Sequence, residues 1–401
     1  MALLMHPLPA SCDVLVIGAG PAGSACAQAL ARAGHDVLVA DRQAFPRDKV
    51  CGDGLIPDAH AALQRLGVHD EVMAQAQALT HVSCIGPRGG RIDVPGRLAV
   101  LPRRELDHIL LRAAIAAGAT LLPPARFEAP LDDAGRVVGA RLRIGDQRHE
   151  LSARWLVLAT GAAAGPLEAA GLCARRSANG VALRGYIRHE SLRERIRTLQ
   201  IVWHKRLAGG YGWIFPAPNG VFNIGAGLSG DFGAQNLRAV FDTFCAVHPD
   251  ASELVAGGSW LGEPKGAPLR CSLTGARWSR PGLLAVGEAI GSTYAFTGEG
   301  IGKALETGLL AAQAIAGGGA PGGEEAAVRA AYEAALRALK PRFDLYARAE
   351  HVNRHPWLTD LVIWRAQRSP RILQRMSGVL DETQNPGRLL SWRGLGKLLL
   401  Q

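Results

Sequence analysis

The segment that decides the fold lies near the N-terminus and reads Asp13-Val14-Leu15-Val16-Ile17-Gly18-Ala19-Gly20-Pro21-Ala22-Gly23. Its run of Val, Leu and Ile predicts a buried parallel strand, because both faces of such a strand are covered. Three glycines follow at the spacing Gly-x-Gly-x-x-Gly, and a helix-forming sequence starts directly after them. Strand, glycine turn and helix in this order predict a binding site for the pyrophosphate of a dinucleotide.

Each glycine of this turn has its own physical task. Gly18 permits the tight turn, Gly20 lets the backbone approach the pyrophosphate, and Gly23 lets the helix pack close to the strand. The N-terminus of the helix adds unpaired N–H groups and a partial positive charge. A second predicted strand, residues 36–40, ends at Asp41, whose carboxylate suits the hydroxyl groups of an adenosine ribose.

Composition narrows the class of protein. The chain has 401 residues, 48% of them hydrophobic, which is enough for one large or two interleaved domains. Its seven scattered cysteines contain no Cys-x-x-Cys pair, so we expect neither a disulfide framework nor a metal site. The N-terminus lacks the features of a signal peptide, and no apolar stretch reaches the roughly 18 residues of a membrane span. We therefore expect a cytoplasmic protein.

The net charge of +10 is spread along the whole chain and is not accompanied by a nucleic-acid-binding module. We therefore expect no nucleic-acid partner. The tail from Pro341 carries 10 Lys and Arg against 5 Asp and Glu, and it mixes them with Trp and Leu at residues 361–365 and 389–393. This pattern is typical of a helix at the inner membrane surface, and equally of a helix packed on the domain with a solvated basic face.

The rest of the chain alternates between segments predicted to be helical and segments predicted to be strands. Helices are predicted at 57–66, 101–117, 237–247, about 300–315 and 324–350; strands are predicted within 80–100, on both sides of the turn 132–135, at 154–161 and through most of 175–273. Arg42 and Arg47 follow the second strand in a polar loop. Both are candidates to pair with cofactor phosphates, with an ordinary solvated loop as the alternative.

Three stretches resemble the geranylgeranyl reductase family of FAD-dependent oxidoreductases, which has the p-hydroxybenzoate hydroxylase fold and is related to flavin-dependent monooxygenases and halogenases. They are residues 45–52 (FPRDKVCG), 211–216 (YGWIFP) and 297–301 (TGEGI). The resemblance covers about residues 12–315. It implies an α/β protein with a Rossmann-type FAD-binding domain, an antiparallel-sheet substrate domain and a helical C-terminal tail. On this fold, residues 1–79, 101–174 and 275–340 form the FAD-binding domain, 80–100 and 175–274 the substrate domain, and 341–401 a helical basic region.

The resemblance also implies roles for single residues. Arg103 matches an arginine that contacts the cofactor, and Gly287-Glu288 matches a Gly-Asp motif whose carboxylate binds the flavin ribityl chain. Gly298 and its neighbours would lie beside the flavin pyrimidine ring, where helix N–H groups stabilise negative charge. The predicted FAD-binding set comprises Gly18, Gly20, Gly23, Asp41, Arg42, Arg47, Arg103, Gly287, Glu288, Gly298, Gly300 and Ile301.

For catalysis the candidates are Cys51, Trp213 and Gly300. Cys51 falls at a cysteine near flavin and substrate in the family, with a buried inert thiol as the alternative. Trp213 belongs to a run that would line the substrate cavity, or else simply the core of a sheet. His60, His204 and Glu299 are candidate proton donors, and each has a structural alternative.

These features predict an FAD-dependent reductase of C=C bonds in a lipophilic, apolar or aromatic small molecule. The alternative from the same fold is a monooxygenase, or a halogenase, acting through a flavin C4a-hydroperoxide. The halogenase is disfavoured because the chain lacks a Trp-x-Trp-x-Ile-Pro run, and a binding scaffold without turnover is disfavoured by the intact glycine loops. Thr160-Gly161 stands where many hydroxylases carry an Asp-Gly shared with the pyridine nucleotide. The external reductant therefore stays open between NAD(P)H and a reductase partner.

Overall fold

The computed structural model describes residues 9–230, 233, 235–318 and 325–382, which form two sheets with helices packed around them. The strands are β1 (Ser11–Ile17), β2 (Val37–Ala40), β3 (Gly54–Leu55), β4 (Gln77–Ile85), β5 (Arg91–Val100), β6 (Thr120–Leu121), β7 (Ala125–Asp133), β8 (Arg136–Ile144), β9 (Gln147–Leu158), β10 (Gly180–Arg188), β11 (Leu199–Val202), β12 (Gly210–Ala217), β13 (Val221–Ser229), β14 (Ser259–Trp260), β15 (Lys265–Leu269), β16 (Ser279–Arg280) and β17 (Leu283–Ala285). The helices are α1 (Pro21–Arg32), α2 (Pro57–Leu66), α3 (His69–Gln75), α4 (Arg103–Ala116), α5 (Ala164–Ala169), α6 (Leu237–Val247), α7 (Pro249–Gly257), α8 (Ile301–Gly317), α9 (Glu325–Ala349), α10 (His351–Arg354), α11 (Trp357–Ala366) and α12 (Pro370–Leu380).

The first sheet has a parallel centre built on β1. Strand β1 pairs with β2 on one side and with β9 on the other, in the order β16-β17-β9-β1-β2-β6. Val14, Leu15 and Val16 are fully buried, which confirms the prediction of a strand covered on both faces. Strand β9 starts at Gln147, earlier than predicted, because its first half pairs with β8 in an antiparallel meander.

Helices α1 and α8 cross at very short range on this sheet. A Cβ atom on Gly308 would lie 2.2 Å from the carbonyl oxygen of Ala22, so only glycine allows the crossing. Both helices therefore begin close to the end of β1, with α1 starting after Gly20 and α8 after Gly300.

The second sheet is antiparallel except for one pair. Its order is β14-β10-β13-β12-β11-β4-β5-β3, β15 adds to β10, and only β4 and β11 are parallel. Helices α6 and α7 contribute Phe241, Phe244 and Leu254 to a core against this sheet. The predicted helix at 237–247 is confirmed as α6, and α7 is a second helix that was not predicted. Pro249 cannot continue α6 because it lacks an N–H group, and it starts α7 instead.

The C-terminal helices pack on the second sheet. Residues of α11 and α12, such as Val362 and Ile372, form a small core with Ile92 and Val94 of β5. Helix α9 runs through Pro341, so the chain stays helical across the predicted boundary at that residue. The predicted surface segment 389–393 lies outside the described residues. Within the described part of the chain, no helix has the length and hydrophobicity needed to cross a bilayer.

Candidate FAD and substrate site

One cavity of about 1230 Å³ connects the end of β1 with the C-terminal helices. Both sheets contribute to its wall, which ends at apolar side chains of α10, α11 and α12. The predicted site residues that line it are Gly18, Gly20, Asp41, Arg42, Arg47, Cys51, Arg103, Trp213, Gly287, Glu288, Gly298, Gly300 and Ile301. Gly23 does not line the cavity. The fold thus brings together residues separated by up to 283 positions in the chain, from Gly18 to Ile301.

The glycine turn shows why three glycines are needed. Gly18 has a φ of +103°, and a Cβ atom there would lie 2.4 Å from the Ala159 carbonyl oxygen. A Cβ atom on Gly23 would lie 1.8 Å from the carbonyl oxygen of Gly18. Gly20 is different, since its nearest neighbours are guanidinium nitrogens of Arg103 and Arg47 at 3.7 and 3.8 Å. Gly18 and Gly23 shape the turn, whereas Gly20 faces the cavity.

A buried acid holds these two arginines. Asp107 accepts hydrogen bonds from Arg103 Nε at 2.6 Å and Nη2 at 2.9 Å, and from Arg47 Nη1 at 2.8 Å. Burial alone lowers the pKa of Arg103, but the Asp107 carboxylate outweighs it and holds this pKa above its ordinary value. Sequence reasoning missed Asp107. Its position four residues after Arg103 on one helix face was the available signal.

Asp41 is held by the turn itself. Its carboxylate accepts hydrogen bonds from the backbone N–H of Ala19 at 2.9 Å and of Gln43 at 3.0 Å, with Arg47 Nη2 at 3.5 Å. In the described structure, no side chain caps α1 at Gly20. The first N–H groups of the helix are therefore available to an anion between the arginines and the turn. This arrangement fits a pyrophosphate.

The start of α8 also lies in the cavity wall, and glycines surround it. Gly287, with a φ of +65°, would place a Cβ atom 2.7 Å from Ala22 Cβ. Cβ atoms on Gly298 and Gly300 would lie 2.8 Å from Tyr211 Oη and 2.7 Å from Thr293 Oγ1. In the described residues α8 also has no side-chain cap, so no capping side chain occupies its first N–H groups. Backbone N–H groups at a helix start suit a polar planar ring that gains negative charge.

A buried polar network borders the cavity through Cys51, Asp53 and Trp213. Asn223 Nδ2 donates to Asp53 Oδ2 and to the Cys51 carbonyl oxygen, both at 2.8 Å, and Trp213 Nε1 donates to Asn223 Oδ1 at 2.9 Å. The Tyr186 hydroxyl also donates to Asp53. Burial raises the pKa of Asp53 to about 6, while its hydrogen bonds to Tyr186 and Asn223 act in the opposite direction. The network fixes Trp213 and the Cys51 loop relative to each other.

Asp53, Asn223 and Tyr186 were also missed by sequence reasoning. They come from three separated segments, and nothing local in the chain pairs them. The sequence itself offers one signal, an acid between two glycines, Gly52 and Gly54. In the structure Asp53 has a φ of +64°. A non-glycine residue in that conformation is uncommon outside structurally or functionally constrained positions.

Aromatic side chains form one wall of the cavity. Ring centroids of Tyr211 lie 5.9 Å from Trp203 and 6.3 Å from Trp213, and Trp213 lies 6.3 Å from Phe215. Phe296 stacks on Trp203 with an interplanar angle of 19°. Beyond this wall the lining is aliphatic, with Val82, Val94, Val352, Val362, Ile363, Met376, Val379 and Leu380. The cavity suits a long apolar ligand.

The three candidate proton donors differ in whether they line the cavity. His60 does not line the cavity; it is buried, with Nδ1 3.2 Å from His69 Nε2. His204 does not line it either, and its Nδ1 accepts a hydrogen bond from the Arg206 backbone N–H at 3.3 Å. Each of these two histidines has a structural partner elsewhere. Glu299 lines the cavity.

Comparisons with known proteins agree with this geometry. Residues 11–183 match the family described as FAD binding domain. The chain is 33% identical to the menaquinone reductase of Mycolicibacterium smegmatis over 77% of both chains. It is 32% identical to digeranylgeranylglycerophospholipid reductase 1 of Methanopyrus kandleri, over 75% of this chain and 79% of the relative.

The fold also matches a solved structure closely. A geranylgeranyl bacteriochlorophyll reductase-like protein from Thermoplasma acidophilum superposes with a TM-score of 0.73 and 21% identity, covering 98% of this chain and 96% of that one. At this identity the match supports the fold alone. Taken with the two reductases, which cover three quarters of this chain, it leads to one conclusion: the chain belongs to the geranylgeranyl reductase family of FAD-dependent oxidoreductases.

Proposed function

We propose that this protein saturates C=C bonds in the isoprenoid chain of a lipophilic substrate, with FAD as its cofactor. The observation that carries the proposal is the continuity of the cavity. It joins the glycine turn and the α8 N-terminus to an aliphatic end formed by residues such as Val362, Ile363 and Leu380. Relatives named for menaquinone and for a digeranylgeranyl lipid support a substrate of this class.

In this proposal the cofactor lies along the polar part of the cavity. Gly20, the first turn of α1, Arg47 and Arg103 hold its pyrophosphate, and Asp41 binds the adenosine ribose. Glu288, whose carboxylate lies 4.0 Å from Lys49 Nζ, binds the ribityl chain. The segment 298–301 meets the pyrimidine ring. When bound and reduced, FAD supplies the electron pair and one hydrogen for the reduction.

The remaining residues position the substrate and keep water out. The aromatic wall around Trp213 gives the alkene a rigid surface, because the Asn223 hydrogen bond holds the indole ring in one orientation. The Cys51 backbone is held by the same Asn223, so its side chain faces the cavity from a fixed loop. The aliphatic end binds the rest of the chain by burying apolar surface.

The reducing equivalents come from an external donor in this account. Thr160 lines the cavity and has a buried hydroxyl without a hydrogen-bond partner among the described residues. It replaces the acid that hydroxylases share with a pyridine nucleotide. We therefore propose a reductase protein as the donor, with NAD(P)H as the competing candidate. Mixing oxidised holoenzyme anaerobically with NADH or NADPH distinguishes them, because only a direct donor bleaches the flavin.

The C-terminal helices also suggest how a lipid substrate arrives. Trp357 and Trp364 on α11 are 57% and 44% exposed, and the guanidinium groups of Arg365 and Arg368 lie 5.4 and 4.7 Å from the Trp364 ring. The opposite face of α11 lines the cavity. A helix with aromatic and basic groups outside and a ligand cavity beneath it suits peripheral contact with an anionic membrane surface.

One experiment tests the proposed function. The holoenzyme is reduced anaerobically with dithionite and mixed with menaquinone or with a geranylgeranyl lipid, and the flavin absorbance is followed. Reoxidation without oxygen supports the proposal only when the recovered product has lost a C=C bond, because the quinone ring of menaquinone can also accept the electron pair. Reoxidation that requires oxygen and transfers an oxygen atom to the substrate would make the protein a monooxygenase.

A further inference from the structure

Glu299 occupies a distinctive position in the cavity wall. It lies between Gly298 and Gly300, directly before α8, where the chain packs against Tyr211 and Thr293. The Tyr211 hydroxyl donates to the carbonyl oxygen of Thr297, which ties this loop to the aromatic wall. Glu299 thus lines the cavity at the place where the second helix start meets the aromatic side chains.

The other acids of the cavity wall are already engaged as acceptors. Asp41 accepts two backbone N–H groups, and Asp53 accepts from Tyr186, Asn223 and the Arg103 backbone. Glu128 pairs with Arg143 and Arg148, and Glu288 faces Lys49. In the described part of the chain, no cation lies within ion-pair distance of the Glu299 carboxyl. The Thr297 hydroxyl hydrogen-bonds to the Glu299 carboxyl and acts to lower its pKa, but this donor is neutral, whereas Glu128 and Glu288 each face a cation.

The charges that face Glu299 come from several elements. The charges of Asp58 on α2, Lys303 on α8 and Glu382 after α12 shift the pKa of Glu299. The charge of Glu299 in turn raises the pKa of Tyr211 on β12 and of Tyr346 on α9. Lys303 cannot neutralise this set. Its Nζ atom pairs with Asp58 at 3.4 Å, Glu306 at 2.9 Å and Glu382 at 3.0 Å. Arg342 also pairs with Glu382, so two cations face three carboxylates and a net negative charge remains behind Glu299.

This net negative charge favours the neutral acid. Burial, together with the charges of Asp58 and Glu382, raises the pKa of Glu299 to about 8. A carboxyl group in this environment carries its proton at neutral pH and can give it up to a substrate.

We propose that Glu299 is the acid that protonates the alkene carbon during the reduction. The inference rests on the proposed function and adds the source of the proton. Two C–H bonds form and one C=C π bond is lost. The hydrogen that carries the electron pair comes from the reduced cofactor, which is oxidised, and the proton comes from Glu299, whose carboxylate regains a proton from water. The external two-electron donor restores the cofactor.

The test compares Glu299→Gln and Glu299→Asp with a control, Glu194→Gln. Glu194 forms an exposed ion pair with Arg197 and does not line the cavity. Each holoenzyme is reduced with dithionite and mixed anaerobically with a geranylgeranyl lipid, which has no quinone ring to accept the electron pair, at pH values below and above 8. We expect the wild-type reoxidation rate to fall tenfold per pH unit above about pH 8, because the acid form is lost. Glu299→Gln should slow this step about 100-fold or more and abolish the pH dependence, with FAD content unchanged. Glu299→Asp should keep part of the rate and an alkaline limb.

A second readout does not depend on turnover. Infrared difference spectra at neutral pH should show the C=O band of a protonated carboxylic acid that is present in the wild type and absent from Glu299→Gln. The inference is overturned if Glu299→Gln keeps the wild-type rate and pH profile, or if that band is missing. If menaquinone and geranylgeranyl lipids leave reduced wild-type flavin unoxidised, the proposed function fails, and the inference fails with it.

Discussion

The Asp107 carboxylate binds the Arg103 guanidinium at two points, 2.6 Å from Nε and 2.9 Å from Nη2. It also accepts a hydrogen bond from Arg47. Asp107 is completely buried and does not line the cavity. One buried acid outside the cavity therefore orients both cations that border the glycine turn.

Replacing Asp107 with Asn should weaken both the fold and the cofactor site. Loss of the charge leaves the buried Arg103 guanidinium without its carboxylate partner, which typically costs about 3 to 5 kcal/mol of unfolding free energy. We expect FAD affinity to fall about tenfold or more, since the guanidinium groups lose their fixed orientation. Urea unfolding and fluorescence titration of the apoprotein measure the two effects. Asp242→Asn, in an exposed pair with Arg238, is the control, and unchanged FAD affinity in Asp107→Asn would contradict the account.

Two glycine substitutions should separate folding from binding. In Gly23→Ala the new methyl group meets a backbone carbonyl at 1.8 Å, so the helix must move away from β1 and thermal stability should drop strongly. In Gly20→Ala it meets only guanidinium nitrogens at 3.7 Å and beyond. This variant should melt near the wild-type temperature and lose FAD affinity. Gly317→Ala, with nothing within 4 Å, is the neutral control. Normal FAD affinity in Gly20→Ala would show that the turn does not hold the pyrophosphate.

The Asn223 network should control substrate positioning and not cofactor binding. Asn223→Ala leaves the Trp213 N–H and the Cys51 carbonyl without their partners, which costs about 1 to 3 kcal/mol for each buried group. We expect a higher KM for menaquinone and an unchanged FAD affinity. Trp213→Phe removes the N–H donor and part of the ring system but keeps an aromatic side chain and the Asn223 amide, and it should have a smaller effect in the same direction. Additive effects in the double variant would mean that the two side chains do not act together.

The exposed tryptophans of α11 should mediate membrane contact. The double substitution Trp357→Ala with Trp364→Ala should reduce co-sedimentation with vesicles of anionic lipid about tenfold. Added salt should weaken wild-type binding as well, because the surrounding arginines contribute screened attraction. Trp260→Ala, on β14, provides an exposed tryptophan outside the C-terminal helices. Wild-type vesicle binding in the double variant would place the membrane contact elsewhere.

Local patterns in the chain predict one part of this structure well. The apolar run at 13–17 and the glycine spacing predict β1, the turn and α1, because all three depend on neighbouring residues. The same reasoning could not find Asp53 and Asn223, which lie 170 positions apart and meet only in the fold. It also could not place α10 to α12 over the cavity. Their sequence shows an amphipathic pattern, but only packing against β5 decides which face meets the cavity and which meets solvent.

The role of Glu299 illustrates the same limit. Its sequence neighbours made it one of three equal candidates with His60 and His204. Only the fold shows that both histidines have partners away from the cavity, whereas Glu299 lines it near Asp58 and Glu382. Charge from distant segments determines which acid keeps its proton.

The most direct test of the proposed reduction is the mass of the product from a single anaerobic turnover. Reduced holoenzyme is mixed with a stoichiometric amount of menaquinone in deuterated water, and the isoprenoid chain is analysed by mass spectrometry. The account predicts a product with one C=C bond fewer and two added hydrogen atoms, at least one of them deuterium. A chain that keeps all its double bonds, or that gains an oxygen atom once air is admitted, would contradict it.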